Sequence, residues 1–302
     1  VEILKKANTI TFDLTKVNNL NIKFIAETSS NHARNKNRAL AFVDKSVMVG
    51  CDAVKFQLFR IDDLFSAEAL VSKPELLKRK NWELPLEFLP ALAERCREND
   101  IQFSCTPFYL KAVEELEHYV DFFKISSYEL LWDDLLAACA STGIPVILST
   151  GMATMDETIH AVRVLSDNGC HEPTLLHCTS SYPTLPQEAN LAAIETLRKH
   201  TGCKVGWSDH TVRPGVIHRA IHRWGAEVIE FHLDLDRKGE EYEVGHCWLP
   251  YQIKSVIDEV REGFIADGSV VKEPVASELE ERLWRASSED GLRPIKEIRS
   301  KI

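Results

Sequence analysis

No stretch of this 302-residue chain approaches the ~18 consecutive apolar residues of a membrane-spanning helix. Its first residues, Val1-Glu2-Ile3-Leu4-Lys5-Lys6, lack the apolar core of a secretory signal. No CxxC pair or even framework unites Cys51, Cys96, Cys105, Cys139, Cys170, Cys178, Cys203 and Cys247. That argues against a disulfide scaffold and for free thiols in a reducing compartment. Positive charge is short as well. The chain has 36 Lys and Arg against 46 Asp and Glu, a net charge of −10, which argues against nucleic acid or an anionic membrane as partner. A cytoplasmic protein is expected, and an anionic ligand would need a locally basic pocket.

What is present is a repeated alternation. Eight short apolar segments, Lys23–Ser30, Ala53–Phe59, Gln102–Phe108, Phe122–Tyr128, Pro145–Gly151, Pro173–Ser181, Cys203–His210 and Glu227–Asp236, nearly all end in polar or charged residues. Helical periodicity fills the intervals at about 34–49, 86–99, 110–118, 132–142, 154–168, 188–200, 214–224 and 250–264. Glycines 50, 143, 169, 202 and 225 stop most of these helices. Eight strand–helix units predict an α/β fold, a (β/α)8 TIM barrel whose site lies at the C-terminal strand ends. The expected parts are an N-terminal hairpin over 1–22, a barrel over 23–268 and a helical C-terminal extension or linker over 269–302. The insert Arg60–Glu83 is long for a βα loop, as functional lids often are.

Alternate residues of a barrel strand point inward. In the last segment Glu230, His232, Asp234 and Asp236 share one face, and Ile229, Phe231, Leu233 and Leu235 the other. In the segment before it, Ser208 and His210 share a parity. Neighbouring strands lie ~4.8 Å apart, so His210 and His232 are candidate ligands of one divalent ion, suiting Mn²⁺, Fe²⁺, Co²⁺ or Zn²⁺ better than Ca²⁺. The alternative is two unrelated histidines.

Lys55 with Gln57, and Lys124 with Ser126, take the inward parity of their strands. A lysine within an apolar run needs an anion or a carboxylate partner. Two readings follow: a phosphate or carboxylate held between Lys55 and Lys124, or a structural pair such as Lys55 with Glu27. Ser127 and Glu129 have the opposite parity and reach the site only if the chain bends. Glu27 is an inward candidate acid or base, or a lysine's partner. Ser149, Gly151, Cys178, Ser180 and Tyr182 complete the inward set.

Together these residues resemble the N-acetylneuraminate (sialic acid) synthase family, with its pseudaminate, legionaminate and spore-coat polysaccharide members. The resemblance rests on IAETSSNH (25–32), DAVKFQ (52–57), SCTPF (104–108), FKISSYE (123–129), PVILSTGMAT (145–154), LLHCTSSYPT (175–184), VGWSDHT (205–211) and GAEVIEFHLDLD (225–236). It implies condensation of phosphoenolpyruvate with an aldehyde amino sugar such as N-acetylmannosamine, releasing phosphate. It also implies a divalent metal on His210 and His232, with Mn²⁺ first and Mg²⁺ or Co²⁺ next, and a homodimer. Carried over residue by residue, Lys55, Thr106, Lys124, Ser127, Ser149 and Ser208 would hold phosphoenolpyruvate. Glu27 would be the acid or base, and Gln57, Glu129 and Tyr182 would face the sugar.

The chain departs from the family pattern in four places. Phe231 replaces a lysine before the second histidine, and Ser180 stands at a substrate-facing position where many members carry asparagine. The loop Gly239–Trp248 replaces a GPDH-type loop that helps to recognise the sugar. The small antifreeze-like domain that most members carry does not follow within this sequence. Two other readings remain: a Schiff-base aldolase or lyase using Lys55 or Lys124, and a non-catalytic sugar-binding homologue.

Overall fold

The computed structural model describes residues 22–301; the hairpin expected over 1–22 falls almost wholly outside them. The first half of the barrel alternates β1 (Lys23–Glu27), α1 (Lys36–Val49), β2 (Ala53–Leu58), α2 (Ile61–Leu64), α3 (Ala67–Ser72), α4 (Leu89–Glu98), β3 (Gln102–Pro107), α5 (Leu110–Leu116) and β4 (Phe122–Ile125). The second half continues with α6 (Asp133–Ser141), β5 (Val146–Ser149), α7 (Met155–Asp167), β6 (Thr174–His177), α8 (Ala193–Thr201), β7 (Lys204–Asp209), α9 (Pro214–Trp224) and β8 (Val228–Leu233). A two-residue β9 (Cys247–Trp248) and the helix α10 (Pro250–Asp267) follow. All strands pair in parallel and in sequence order, and β1 also pairs with β8, which closes the cylinder. This is the (β/α)8 barrel that the alternation predicts.

The helix stops follow local chemistry. Gly50, Gly202 and Gly225 take left-handed φ values of 91°, 70° and 68° at the ends of α1, α8 and α9, conformations cheapest for a residue without Cβ. At the other end of α7, Thr154 and Glu157 form a capping box.

The interior is layered. Ile25, Ala53, Phe122, Ile147, Leu176 and Val228 form a buried apolar floor. Gly206 is required there, because a Cβ would collide with the Val228 carbonyl and the Leu176 side chain. Two residues further along the strands the same inward parity carries charge. Glu27 is in register with Lys55 on one side and His232 on the other, and Ser208 with Glu230. The apolar layer thus supplies the packing, and the polar layer above it faces the mouth.

The insert after β2 folds as α2, α3 and a 3₁₀ segment, Pro74–Trp82. It is tied down by Glu83, which accepts from the Ile61 amide at 2.9 Å, and by Arg34, which donates to the Lys80 carbonyl at 2.8 Å. The described residues divide into two compact units, one up to Val260 and one from Arg261. In the second, beyond α10, the helical elements among the described residues are short 3₁₀ turns, Ala276–Glu278, Glu281–Trp284 and Lys296–Lys301. Arg299 there binds Asp290 and the Leu292 carbonyl. No helix among the described residues is long and apolar enough to cross a membrane, and all eight cysteines are free.

Candidate active site

A cavity of about 670 Å³ opens at the C-terminal ends of the strands. Of the residues singled out from the sequence, it is lined by Lys55, Gln57, Lys124, Ser127, Glu129, Ser149, Tyr182, Ser208, His210 and His232. Glu27 and Thr106 lie just behind this lining, fully buried. The remaining one, Ser180, lies against Gly151, two residues beyond Ser149: a Cβ on Gly151 would collide with Ser180 Oγ, Cys178 Sγ and Ser127 Oγ. The Gly151 amide donates to Ser127 Oγ at 2.9 Å.

Charge alternates across the layer. Lys55 forms a buried ion pair with Glu27 and donates to Thr106 Oγ1 at 3.1 Å. Glu230 lies 4.0 Å from Lys55 and 3.9 Å from Lys124, and accepts from Ser208 Oγ at 3.2 Å. The pairing of Lys55 with Glu27 is therefore realised, and any anion would meet lysines that already have carboxylate partners. Burial pushes the Glu27 carboxyl up, with Lys55 pulling the other way. For Glu230, burial also pushes upward, but Lys124 and Lys55 outweigh it and hold the carboxyl below its usual range. Burial lowers Lys124, and Glu230 opposes that only in part. Glu129 is raised by burial.

The bend that the parities of Ser127 and Glu129 require is present. β4 ends at Ile125, and a 3₁₀ turn over Ser127–Glu129, capped by Ser126 Oγ, brings both parities into the cavity. Alternation fails in the same way at the end of β8, with the opposite outcome. The strand stops at Leu233, so Asp234 and Asp236 do not join the site as their parity predicts. Both bind Arg38, at 2.9 and 2.8 Å. Phe231 is buried on the outward face, clear of the cavity.

The histidines converge as expected. The rings of His210 and His232 are 5.3 Å apart between centroids, and the Tyr182 ring lies 4.3 Å from that of His210, tilted by 42°. His210 Nδ1 donates to the Thr179 carbonyl at 2.8 Å, which fixes the tautomer and leaves Nε2 with its lone pair. Burial and the neighbouring His232 hold the His210 pKa down to about 3, so the imidazole is neutral, as a ligand must be. His232 Nδ1 lies 3.0 Å from Glu241 Oε2; burial lowers its pKa, and that hydrogen bond reverses the shift upward. A neutral, oriented imidazole beside another whose Nδ1 is engaged by a carboxylate is a donor set that fits a divalent ion.

Four contributors were not singled out in advance. Glu230 has the inward parity of His232 but was not assigned a role in the site. Glu241 and His246 come from the irregular loop after β8, where no periodicity marks them. Glu241 accepts from Ser29 Oγ at 2.5 Å and lies 3.4 Å from His246 Nε2, and the loop backbone is held by Asn31 Oδ1 accepting from the Glu241 amide at 3.0 Å. Asp209 is buried on the outward face and accepts from Trp207, Trp248 and Thr211 at 3.1, 2.9 and 2.7 Å. It pins the end of β7 next to His210. The insert contributes Leu64, Phe65, Arg79 and Trp82 to the cavity wall.

A closed parallel barrel whose polar strand ends surround one deep cleft belongs to the barrel-enzyme class of architectures. The family model described as the NeuB family matches residues 42–272, and the chain belongs to that family. A sialic acid synthetase from Leptospira borgpetersenii superposes with a TM-score of 0.76 at 32% identity, covering 86% of this chain and 90% of that one. N,N'-diacetyllegionaminic acid synthase of Campylobacter jejuni is 33% identical over 84% of this chain and 80% of its own length. Pseudaminic acid synthase from the same species is 30% identical over 82% and 75%.

Proposed function

We propose that the chain condenses phosphoenolpyruvate with an aldehyde amino sugar, N-acetylmannosamine or a close relative, to give a 2-keto-3-deoxy sugar acid and phosphate. The observation that carries this reading is the alternating layer Glu27–Lys55–Glu230–Lys124, with hydroxyls of Thr106, Ser127, Ser149 and Ser208 around it. Two buried ammonium groups and several small hydroxyls suit a compact polyanion. Glu27, biased toward its acid form by burial, relinquishes Lys55 to the anion when it takes up a proton.

In the reaction C3 of phosphoenolpyruvate forms a bond to the aldehyde carbon, water adds at C2, and phosphate departs with its bridging oxygen. Glu27 gives its proton to the aldehyde oxygen as that oxygen becomes a hydroxyl, and of the two protons that the added water loses as C2 becomes a ketone, one restores Glu27 and the other leaves on the phosphate. Lys55 and Lys124 hold the phosphate and carboxylate groups and stabilise charge on the departing phosphate. Gln57, Glu129 and Tyr182 orient the sugar, and holding both substrates in one cleft makes the bond-forming encounter local. His210 and His232 would hold a divalent ion, Mn²⁺ first, which when bound polarises the aldehyde.

A screen of N-acetylated hexosamines and their phosphates with phosphoenolpyruvate and Mn²⁺, read as phosphate release, tests the reading. Release with at least one sugar and none without sugar is expected. No release with any of them would reject it. Lys124, lowered by burial, is the residue that a Schiff-base lyase would use. Borohydride trapping of a substrate carbon on Lys124 would favour that chemistry instead.

A further inference from the structure

We propose that Glu241 is a positioning residue for the ion-binding imidazole of His232: it accepts the Nδ1 proton and so aims Nε2 at the ion. The inference rests on the reading that His210 and His232 hold a divalent ion. The two histidines are held in matching ways. His210 Nδ1 meets a carbonyl oxygen, Thr179 O, at 2.8 Å, and His232 Nδ1 meets a carboxylate oxygen, Glu241 Oε2, at 3.0 Å. An acceptor on one ring nitrogen fixes the tautomer and rotation of the ring and leaves the other nitrogen for a metal.

The carboxylate is itself held in place. Ser29 Oγ donates to Glu241 Oε1 at 2.5 Å, His246 Nε2 lies 3.4 Å from Oε2, and the Glu241 amide donates to Asn31 Oδ1 at 3.0 Å. Asn31 Nδ2 donates in turn to the carbonyl of Leu233, the residue after His232, at 3.0 Å. Asn31 therefore ties the loop to the strand end. Gly239 makes this approach possible, because a Cβ there would collide with the side chains of Asn31 and Asp234.

His232, Glu241, His246 and Cys247 also gather within 4.8 Å of one another, which raises the rival possibility that Glu241 is itself a ligand. The Glu241 carboxylate already takes Ser29, His232 and His246, and Cys247 Sγ faces the Asn31 amide at 3.6 Å. Those partners favour an orienting carboxylate over a coordinating one.

Mn²⁺ titrated by calorimetry into the metal-free protein, with the absorption spectrum of the Co²⁺ form, separates the cases. Glu241→Ala is expected to weaken Mn²⁺ binding by ~10–100-fold while leaving the Co²⁺ band positions unchanged. Glu241→Gln, whose amide oxygen still accepts from Nδ1, is expected to lose less. Near-ultraviolet circular dichroism of both variants reports folding, and the Gln variant carries the test if the Ala variant is misfolded. Unchanged affinity in both variants would overturn the proposal. So would a loss as complete as that of His232→Ala with a changed Co²⁺ spectrum, the mark of a lost ligand. If the wild-type protein binds no Mn²⁺, or if His210→Ala and His232→Ala bind it as tightly as wild type, the underlying metal reading fails instead.

Discussion

Glu27 and Lys55 face each other from adjacent strands as an ion pair buried at the base of the cavity, with Glu230 4.0 Å from the same ammonium. Lys55 thus serves two ends. It offsets the Glu27 carboxylate and, together with Lys124, that of Glu230, and with Lys124 and Arg79 it is one of the cations that line the cavity.

Removing that ammonium has two separable consequences. Lys55→Ala leaves the buried Glu27 carboxylate without its cation, which costs on the order of 3–5 kcal/mol of stability, read by urea denaturation. It is also expected to weaken phosphoenolpyruvate binding at least tenfold. The double variant Glu27→Gln, Lys55→Met is expected to be more stable than Lys55→Ala, because the charge deficit shrinks. Unchanged affinity for phosphoenolpyruvate in Lys55→Ala would remove the lysine from the anion site.

The depressed His210 gives the metal-free protein a defined acid weakness. Its pKa is about 3 when folded and ~6.5 when unfolded, so protonation favours the unfolded chain between those values. Its stabilising contribution is complete above pH 6.5 and is lost as pH falls toward 3, at up to about 1.4 kcal/mol per pH unit. His32, held down to about 4 by burial and Arg34, acts in the same direction. In EDTA, His210→Gln is expected to flatten the decline relative to wild type. An identical pH profile would contradict the assignment.

Gly151 tests the crowding around the serines. Its missing Cβ is where Ser127 Oγ, Cys178 Sγ and Ser180 Oγ converge. Gly151→Ala is expected to cost about 1–3 kcal/mol from overpacking and to raise the KM for phosphoenolpyruvate more than that for the sugar. An equal rise in both would place this corner outside the phosphate end of the cavity.

The sequence was most legible where it was periodic. Two-residue alternation placed Glu27, Lys55, Lys124, Ser208, His210 and His232 around one mouth, because a barrel strand leaves no other freedom. It misled beyond Leu233, where the strand ends and Asp234 and Asp236 turn to Arg38. It was silent on Glu241 and His246, since a loop fixed by Asn31 and Ser29 depends on contacts more than 200 positions away in the chain. The insert after β2 was recognisable by length alone; which of its residues reach the cavity depended on its fold.

The most direct test of the central claim is the stoichiometry of one reaction. Phosphoenolpyruvate, N-acetylmannosamine and Mn²⁺ are incubated with the protein, and phosphate is measured alongside the mass of the sugar product. One phosphate is expected for each molecule of a sugar acid enlarged by three carbons, with both signals abolished by EDTA. Sugar-dependent product without phosphate, or pyruvate trapped on a lysine by borohydride, would contradict the account.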